Sequence, residues 1–359
     1  MSNYVMLNVE KMRSFCVAVY ESYGFSREES AVIADVLLRA DQYGIESHGI
    51  QRMMRYHREI GIGCVDVHAK PETLFETGIS AVWDAHKAMG QVVAEKAARL
   101  AIEKAEKNGV GMVTVRNSNH YGIAGYYSNM AVERDLIGVS MTNTEAICVP
   151  TGSKRAMLGT NPIALAMPAD PLPFSFDAAT TVVTRGKLEV YNKNEKPIPD
   201  LWTVDAQGRP CANAAEVLRN ITNRLGGGIA PLGGSSPLTG GHKGYGFALM
   251  VDIFTAVLSN GLTSPHVNEV KNHNGICHWF MALDYGIFGD KAVIRKNMST
   301  LLQELRDAEK ADGESRIYTH GEPERDAQAG PFREEIPANE KTTEEIREIA
   351  SIQGIPCPF

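Results

Sequence analysis

Apolar residues recur at helical spacing near both ends of the chain and at shorter, strand-like spacing in its middle. Phe15, Val19 and Tyr23 fall on one stripe, with Gly24 as a stop. Ser26 with Glu29 three residues on predicts a capping box, opening a second helix that carries Val32, Val36 and Leu37. A third predicted helix runs through residues 44–56 and stops at Gly61-Ile62-Gly63. From about Ile79 the pattern changes. Ala81-Val82-Trp83 predicts a strand, and residues 90–108 an Ala-rich amphipathic helix ended by Gly109. Residues 110–115 and 138–142 read as strands with a helix over 124–134 between them, and residues 163–167 and 174–176 as two more short strands. Residues 244–258 read as a buried helix and 278–283 as a strand. This alternation predicts an α/β sheet with helices packed on it. Ile294, Met298, Leu301, Leu302 and Leu305 then form one apolar helix face. Residues 309–339 are polar with several prolines and predict an extended surface strap, and Thr342 with Glu345 opens a last short helix. The expected layout is a helical module of residues 1–75 and 290–359 around an α/β domain of residues 76–289.

Length and composition fit a soluble globular protein with room for two domains and a large core. The net charge of −7 argues against a general nucleic-acid binder or a membrane-surface helix. Residues 1–15 carry Glu10, Lys11 and Arg13 and no continuous apolar run, so no secretory signal is expected. The longest apolar stretch, residues 247–258, is too short to span a bilayer and is broken by Asp252. The six cysteines are scattered with no CxxC pair, which suits reduced thiols and a cytoplasmic location.

Candidate chemistry concentrates in Gly44-Ile45-Glu46-Ser47-His48-Gly49-Ile50-Gln51-Arg52-Met53-Met54-Arg55-Tyr56. In a helix His48, Arg52 and Tyr56 line one face. They bring together a proton-transfer group, a carboxylate clamp and a phenol, which suits a small acid with a carboxylate beside a reacting oxygen. Arg52 beside His48 favours the neutral imidazole, and its carboxylate grip favours His48 as the proton donor. The alternative is a solvated helix face. A second candidate, His120 in Asn117-Ser118-Asn119-His120-Tyr121-Gly122, lies between a predicted strand and a predicted helix, where ligand groups collect, as turn residues also do. In Leu158-Gly159-Thr160-Asn161-Pro162 turn chemistry accounts for Gly, Asn and Pro, and only Thr160 offers a hydroxyl for a substrate oxygen. Thr239-Gly240-Gly241-His242-Lys243-Gly244-Tyr245-Gly246 leads into a helix and reads either as a phosphate site with Lys243 as point charge or as a flexible connector.

No GxGxxG fingerprint occurs, which argues against a standard Rossmann site. His273 and His278 stand apart from any HExxH or cysteine pair, so no metal site is expected.

Six segments in order resemble the malate/L-lactate dehydrogenase family of the second type, which includes ureidoglycolate, sulfolactate and diketogulonate oxidoreductases. They are Ser47-His48-Gly49 with Arg52 and Tyr56, Asn119-His120-Tyr121-Gly122, Gly159-Thr160-Asn161-Pro162, Asp177-Ala178-Ala179-Thr180-Thr181, Arg185-Gly186-Lys187 and Gly241-His242-Lys243-Gly244-Tyr245-Gly246. Residues 185–191, 196–199 and 274–280 look most like its malate dehydrogenase branch. The resemblance implies a homodimer with a non-Rossmann cofactor fold. It implies NAD- or NADP-dependent interconversion of a 2-oxo acid and a 2-hydroxy acid, here oxaloacetate and malate. On this chain it makes His48 and His120 the site histidines, with Arg52 and Tyr56 holding substrate. Thr144, Asp177, Ala178, Ala179 and Lys243 would meet the dinucleotide. A dehydrogenase for lactate or ureidoglycolate, a metal-dependent hydrolase using the same histidines and a non-catalytic helical interaction module stand as the alternatives.

Overall fold

The computed structural model describes residues 4–193 and 195–359; the first three residues of the expected helical module lie outside them. A strand the apolar pattern did not reveal, β1 (Tyr4–Asn8), leads directly into α1 (Val9–Ser22), and Asn8 caps that helix by accepting the Lys11 N–H. The capping box at α2 (Arg27–Gln42) forms as expected, with Ser26 and Glu29 each bonding the other's backbone N–H at 3.2 Å.

Residues 44–56 are not one helix. Two 3₁₀ turns, Glu46–His48 and Ile50–Arg52, precede α3 (Met53–Gly61), and Gly49 between them is extended at φ −86°, ψ −150°. The cause is Asp41, buried near the end of α2. Its carboxylate accepts the Ile50 N–H at 2.8 Å and occupies the space that a Cβ on Gly49 would need, 1.8 Å from Oδ1.

The middle of the chain follows the predicted order with small shifts of boundary: β2 (Glu72–Glu76), which was not foreseen, β3 (Ser80–Asp84), α4 (Gly90–Asn108), β4 (Val110–Ser118), α5 (Ala124–Val132), β5 (Ile137–Thr142), β6 (Ile163–Met167) and β7 (Phe174–Ala178). Gly109 ends α4 in the left-handed region, φ +85°, as glycine permits. Next comes a small unit that hydrophobic patterning did not mark: α6 (Arg185–Lys193), β8 (Thr203–Val204), α7 (Ala214–Asn223) and β9 (Gly228–Ile229). Its own core includes Leu188, Ile198, Val217, Ile221 and Ile229. α8 (Gly241–Asp252) and β10 (Ile276–Leu283) return the chain to the main sheet.

That sheet has seven strands in the order β2-β3-β4-β10-β5-β6-β7. Only β3 and β4 pair in parallel; the other neighbours are antiparallel. Alternation along the strands feeds two faces. Val113, Val115 and Phe280 pack with Ala94, Ala97 and Ala101 of α4 and Tyr127 of α5, whereas Val139, Met141 and Trp279 pack with Val251 of α8. The helix predicted as buried over 244–258 starts earlier, at Gly241, and passes into a π turn at Ile253–Val257. It is not buried: Phe247, Leu249, Met250, Ile253, Val257 and Leu258 are each 42–54 % exposed. A helix apolar on every side gives no sign in its sequence of which side is covered.

α9 (Lys291–Asp307) is tied to the turn before β7 by two Arg295–Asp170 hydrogen bonds of 3.0 and 2.7 Å. Of its predicted apolar face, Leu302 is buried but Leu301 and Leu305 are exposed. The expected strap over 309–339 contains α10 (Glu322–Ala329) and β11 (Glu335–Asn339), which pairs antiparallel with β1. The polar composition hid this ordering. Glu322 is buried but bonded by Arg306, Arg316 and Thr319, and only Ile336 and Ala338 point inward from β11. The cap of α11 (Glu340–Gln353) is Asn339, not Thr342; Asn339 accepts the Thr342 N–H at 3.0 Å. Leu7, Phe15, Leu37, Ile336, Ile346 and Ile349 meet in one core, which joins the two ends of the chain.

Candidate active site

A cleft of about 480 Å³ opens where the turn and helix after α2 face the ends of β4 and β5 and the α6 unit. His48, Arg52, His120, Thr144 and Thr160 all line it. The expected 48/52 proximity survives the break at Gly49 because Arg52 Nε donates to the Ser47 carbonyl, folding the second turn back on the first. Tyr56 is buried behind the wall. Its hydroxyl bonds His120 Nδ1 at 2.6 Å, and the buried Gln91 amide lies beyond it. The His48 and His120 rings are 5.4 Å apart, and Ser47 Oγ meets His48 Nδ1 at 2.9 Å.

Close backbone packing fixes His120. Gly90, the first residue of α4, lies so near the loop that a Cβ there would sit 2.3 Å from the Asn119 and His120 carbonyl oxygens. Asn119 donates to the Lys87 and Ala88 carbonyls and accepts from Asn274 at 2.7 Å. On the far wall Asn161 is fully buried. It donates to the Ala248 carbonyl and accepts the Thr144 N–H, while the Thr160 N–H donates to Thr144 Oγ1 at 3.0 Å. Asn161 therefore holds the wall together, and the two threonines form its surface.

Burial first, then the charges of Arg52 and Arg55, holds the His48 imidazole well below its ordinary range. His120 is pushed the same way by burial and then by Arg55, His48, Arg52 and His278. Both rings are therefore neutral near pH 7 in the free protein. The Nε2 atoms of both have no protein partner among the described residues.

The other expected contacts lie elsewhere. Asp177, at the end of β7, accepts the Gly125 N–H at the start of α5 and lines a separate crevice with Gly321 and Glu324. Ala178 pairs with Ile163 in the sheet, and Ala179 is half-buried. Thr180 ties this turn to the cleft wall, its N–H donating to the Thr160 carbonyl. Lys243 is exposed in the first turn of α8 and is not on the cleft wall. The i, i+4 reading passed over several wall residues, chiefly Arg55, Glu59, Glu145 and Glu189. Arg55 was findable as the i+3 neighbour of Arg52. The glutamates come from three distant segments that no periodicity links. Among the described residues no group of three or more His, Cys, Asp or Glu is placed to hold a metal ion.

Residues 7–347 match the family model described as malate/L-lactate dehydrogenase. The chain is 42 % identical to a malate dehydrogenase of Pyrococcus abyssi, covering 98 % of this chain and 96 % of that one. It is 35 % identical to a malate/(S)-sulfolactate dehydrogenase of Methanothermus fervidus, over 96 % and 97 %. Among solved structures, malate dehydrogenase from Entamoeba histolytica superposes with a TM-score of 0.95 at 33 % identity, over 99 % of this chain and 100 % of that one. The Pyrococcus horikoshii malate dehydrogenase gives 0.90 at 38 %, over 99 % and 98 %. The cleft that gathers His48, Arg52 and His120 thus sits in a chain alike to these enzymes from end to end, and the protein belongs to the malate/L-lactate dehydrogenase family of oxidoreductases.

Proposed function

We propose that this protein interconverts oxaloacetate and malate with NAD or NADP. The observation that carries the reading is the cleft itself, with two neutral histidines and an open guanidinium on one wall and two threonines on the other. Its volume lies within the roughly 300–1,000 Å³ usual for small-molecule sites. When bound, the nicotinamide supplies or accepts the hydride. Thr144 would meet its cleft end, and Asp177, Ala178, Ala179 and Lys243 the remainder of the dinucleotide. The absence of GxGxxG and the mostly antiparallel sheet support a binding mode outside the Rossmann pattern.

Among the described residues Arg52 spends only Nε on the protein, which leaves its terminal nitrogens for a bidentate grip on the carboxylate next to the reacting carbonyl. Thr160 offers its hydroxyl to a substrate oxygen. The Tyr56 bond supports His120 rather than His48 as the proton donor. With the proton on Nδ1, the phenol oxygen accepts from it in both the charged and the neutral ring, so Nε2 can give its proton to the forming alkoxide and take it back from the hydroxyl. His48 then orients the substrate.

The exposed apolar run on α8 and its π turn supports a homodimer, with a second copy covering it. The six free cysteines suit a cytoplasmic location, and among the described residues no helix is long and apolar enough to cross a membrane.

The reading is tested by following consumption of NADH and of NADPH with oxaloacetate, pyruvate and sulfopyruvate. Oxaloacetate should give the highest kcat/KM. Failure of every 2-oxo acid to consume either cofactor would overturn the assignment. An active monomer in sedimentation at low micromolar concentration would remove the dimer.

A further inference from the structure

Two guanidinium groups open onto the cleft from the α3 side. Arg52 was foreseen as a carboxylate clamp. Arg55 was not, yet it lines the same cleft with its side chain 39 % exposed. A four-carbon dicarboxylate needs a second cation, and a three-carbon monocarboxylate such as pyruvate does not. We propose that Arg55 binds the distal carboxylate and sets the preference for dicarboxylate over monocarboxylate 2-oxo acids. This rests on the reading of the cleft as an oxaloacetate/malate site.

The hydrogen bonds single out Arg55 from the cations available. Arg185, across the cleft, has all three nitrogens engaged. Nε bonds Glu189 at 3.1 Å, Nη2 donates to Thr222 at 3.2 Å, and Nη1 lies 3.5 Å from Glu145. To take a substrate carboxylate it would have to leave two ion pairs. Arg55 donates only Nε, to Glu59 at 2.8 Å, and its terminal nitrogens have no partner among the described residues. Guanidinium carries five N–H donors in a fixed fork, so one anchored edge leaves another aimed and ready. Glu59, one helical turn on and itself largely buried, fixes that aim.

The placement relative to the histidines agrees. Of the neighbouring charges, Arg52 acts most strongly on His48 and Arg55 most strongly on His120. Both guanidiniums line the same cleft as the two rings, whose centroids are 5.4 Å apart, so a carbonyl held at the rings has both cations within its own cleft. A substrate held at both ends has its central carbon fixed by two charge-assisted contacts rather than one.

The test is Arg55→Gln in the full-length protein, with kcat and KM measured for oxaloacetate and for pyruvate. Loss of a hydrogen bond to a charged partner corresponds to roughly 10–100-fold. The expected result is a fall of that size in kcat/KM for oxaloacetate, mainly through KM, with a much smaller change for pyruvate. Any effect of the missing charge on His120 is shared by both substrates and cancels in their ratio. Arg55→Lys should recover part of the ratio, and Arg185→Gln should keep it. If Arg55→Gln does not fold, Arg55→Lys carries the test through the same ratio. An unchanged ratio in the Arg55 variants, or a collapse in Arg185→Gln instead, overturns the inference while leaving the enzyme reading intact. A wild-type protein with no preference for oxaloacetate over pyruvate removes both.

Discussion

His120 and His278 are two histidines whose imidazoles burial holds below their ordinary range and whose hydrogen bonding differs. His278 on β10 is fully buried, and burial pushes its imidazole down to about 3. Its Nδ1 meets Thr142 Oγ1 at 2.8 Å and its Nε2 meets Ser118 Oγ at 2.9 Å, while the ring stacks on Tyr121 with centroids 4.5 Å apart. His120, just past the end of β4, is also held neutral, but among the described residues only its Nδ1 is bonded, and the ring lines the cleft. A low proton affinity is therefore no mark of catalysis in this molecule. The distinguishing feature is an imidazole nitrogen left without a protein partner at an open wall.

The largest expected effect breaks this comparison directly. His120→Gln should lower single-turnover hydride transfer by roughly 10²–10⁴. His48→Gln should act more on substrate affinity. His278→Gln should keep the rate of the folded protein but cost stability of about 1–3 kcal/mol, because buried hydroxyls of Thr142 and Ser118 lose a partner. A hydride-transfer defect in His278→Gln as deep as that of His120→Gln would erase the distinction. Normal transfer in His120→Gln with loss in His48→Gln would return the donor role to His48.

The next effect sharpens what lies beside the open histidines. Arg52→Lys keeps the charge and loses the fork, so the KM for the oxo acid should rise by an amount worth about 1.5–3 kcal/mol. Unchanged oxo-acid kinetics would take Arg52 out of the site.

The smallest effect near neutrality concerns acid. A histidine whose folded pKa lies below its unfolded value of 6.5 contributes stability that is present above 6.5 and lost as pH falls toward the folded value, for His278 about 3. Thermal stability should therefore decline from about pH 6.5 downward, ahead of the buried Glu322, whose carboxyl is held down to about 2 chiefly by Arg306 and Arg316 against the opposing effect of burial. The decline should be shallower in His278→Gln. The same slope in both proteins would mean that other groups carry the acid sensitivity.

Much of this was legible in the sequence where local chemistry decides. Ser26 and Glu29 specify a cap, Gly109 a stop, and residues 90–108 a helix, because each depends on neighbours within a few positions. The pairing of β1 with β11 was not legible, because its strands lie more than 300 residues apart and one sits in a polar stretch. In the site, His48, Arg52 and His120 could be named from residue type and spacing. Arg55 escaped because only the i, i+4 series was followed, although the i+3 neighbour of Arg52 shares its helix face. The exposed side of α8 escaped because its residues are apolar all round.

The break at Gly49 has a consequence for how such a site can diverge. The carboxylate of Asp41 holds the Ile50 N–H and excludes any side chain at Gly49, so the junction between the His48 turn and the Arg52 turn is referenced to α2. Arg55 is carried by α3, which starts beyond the break, and Arg52 stands immediately before it. His120, the proposed donor, is seated through Asn119 against the carbonyls of Lys87 and Ala88, whereas Arg55 is carried by α3, so the acid–base group and the distal anion-reading group are mounted on different elements. Substitution at position 55 can retune which acid is admitted while His120 keeps its seat, and exchanging that residue between relatives that prefer different oxo acids should carry the preference with it.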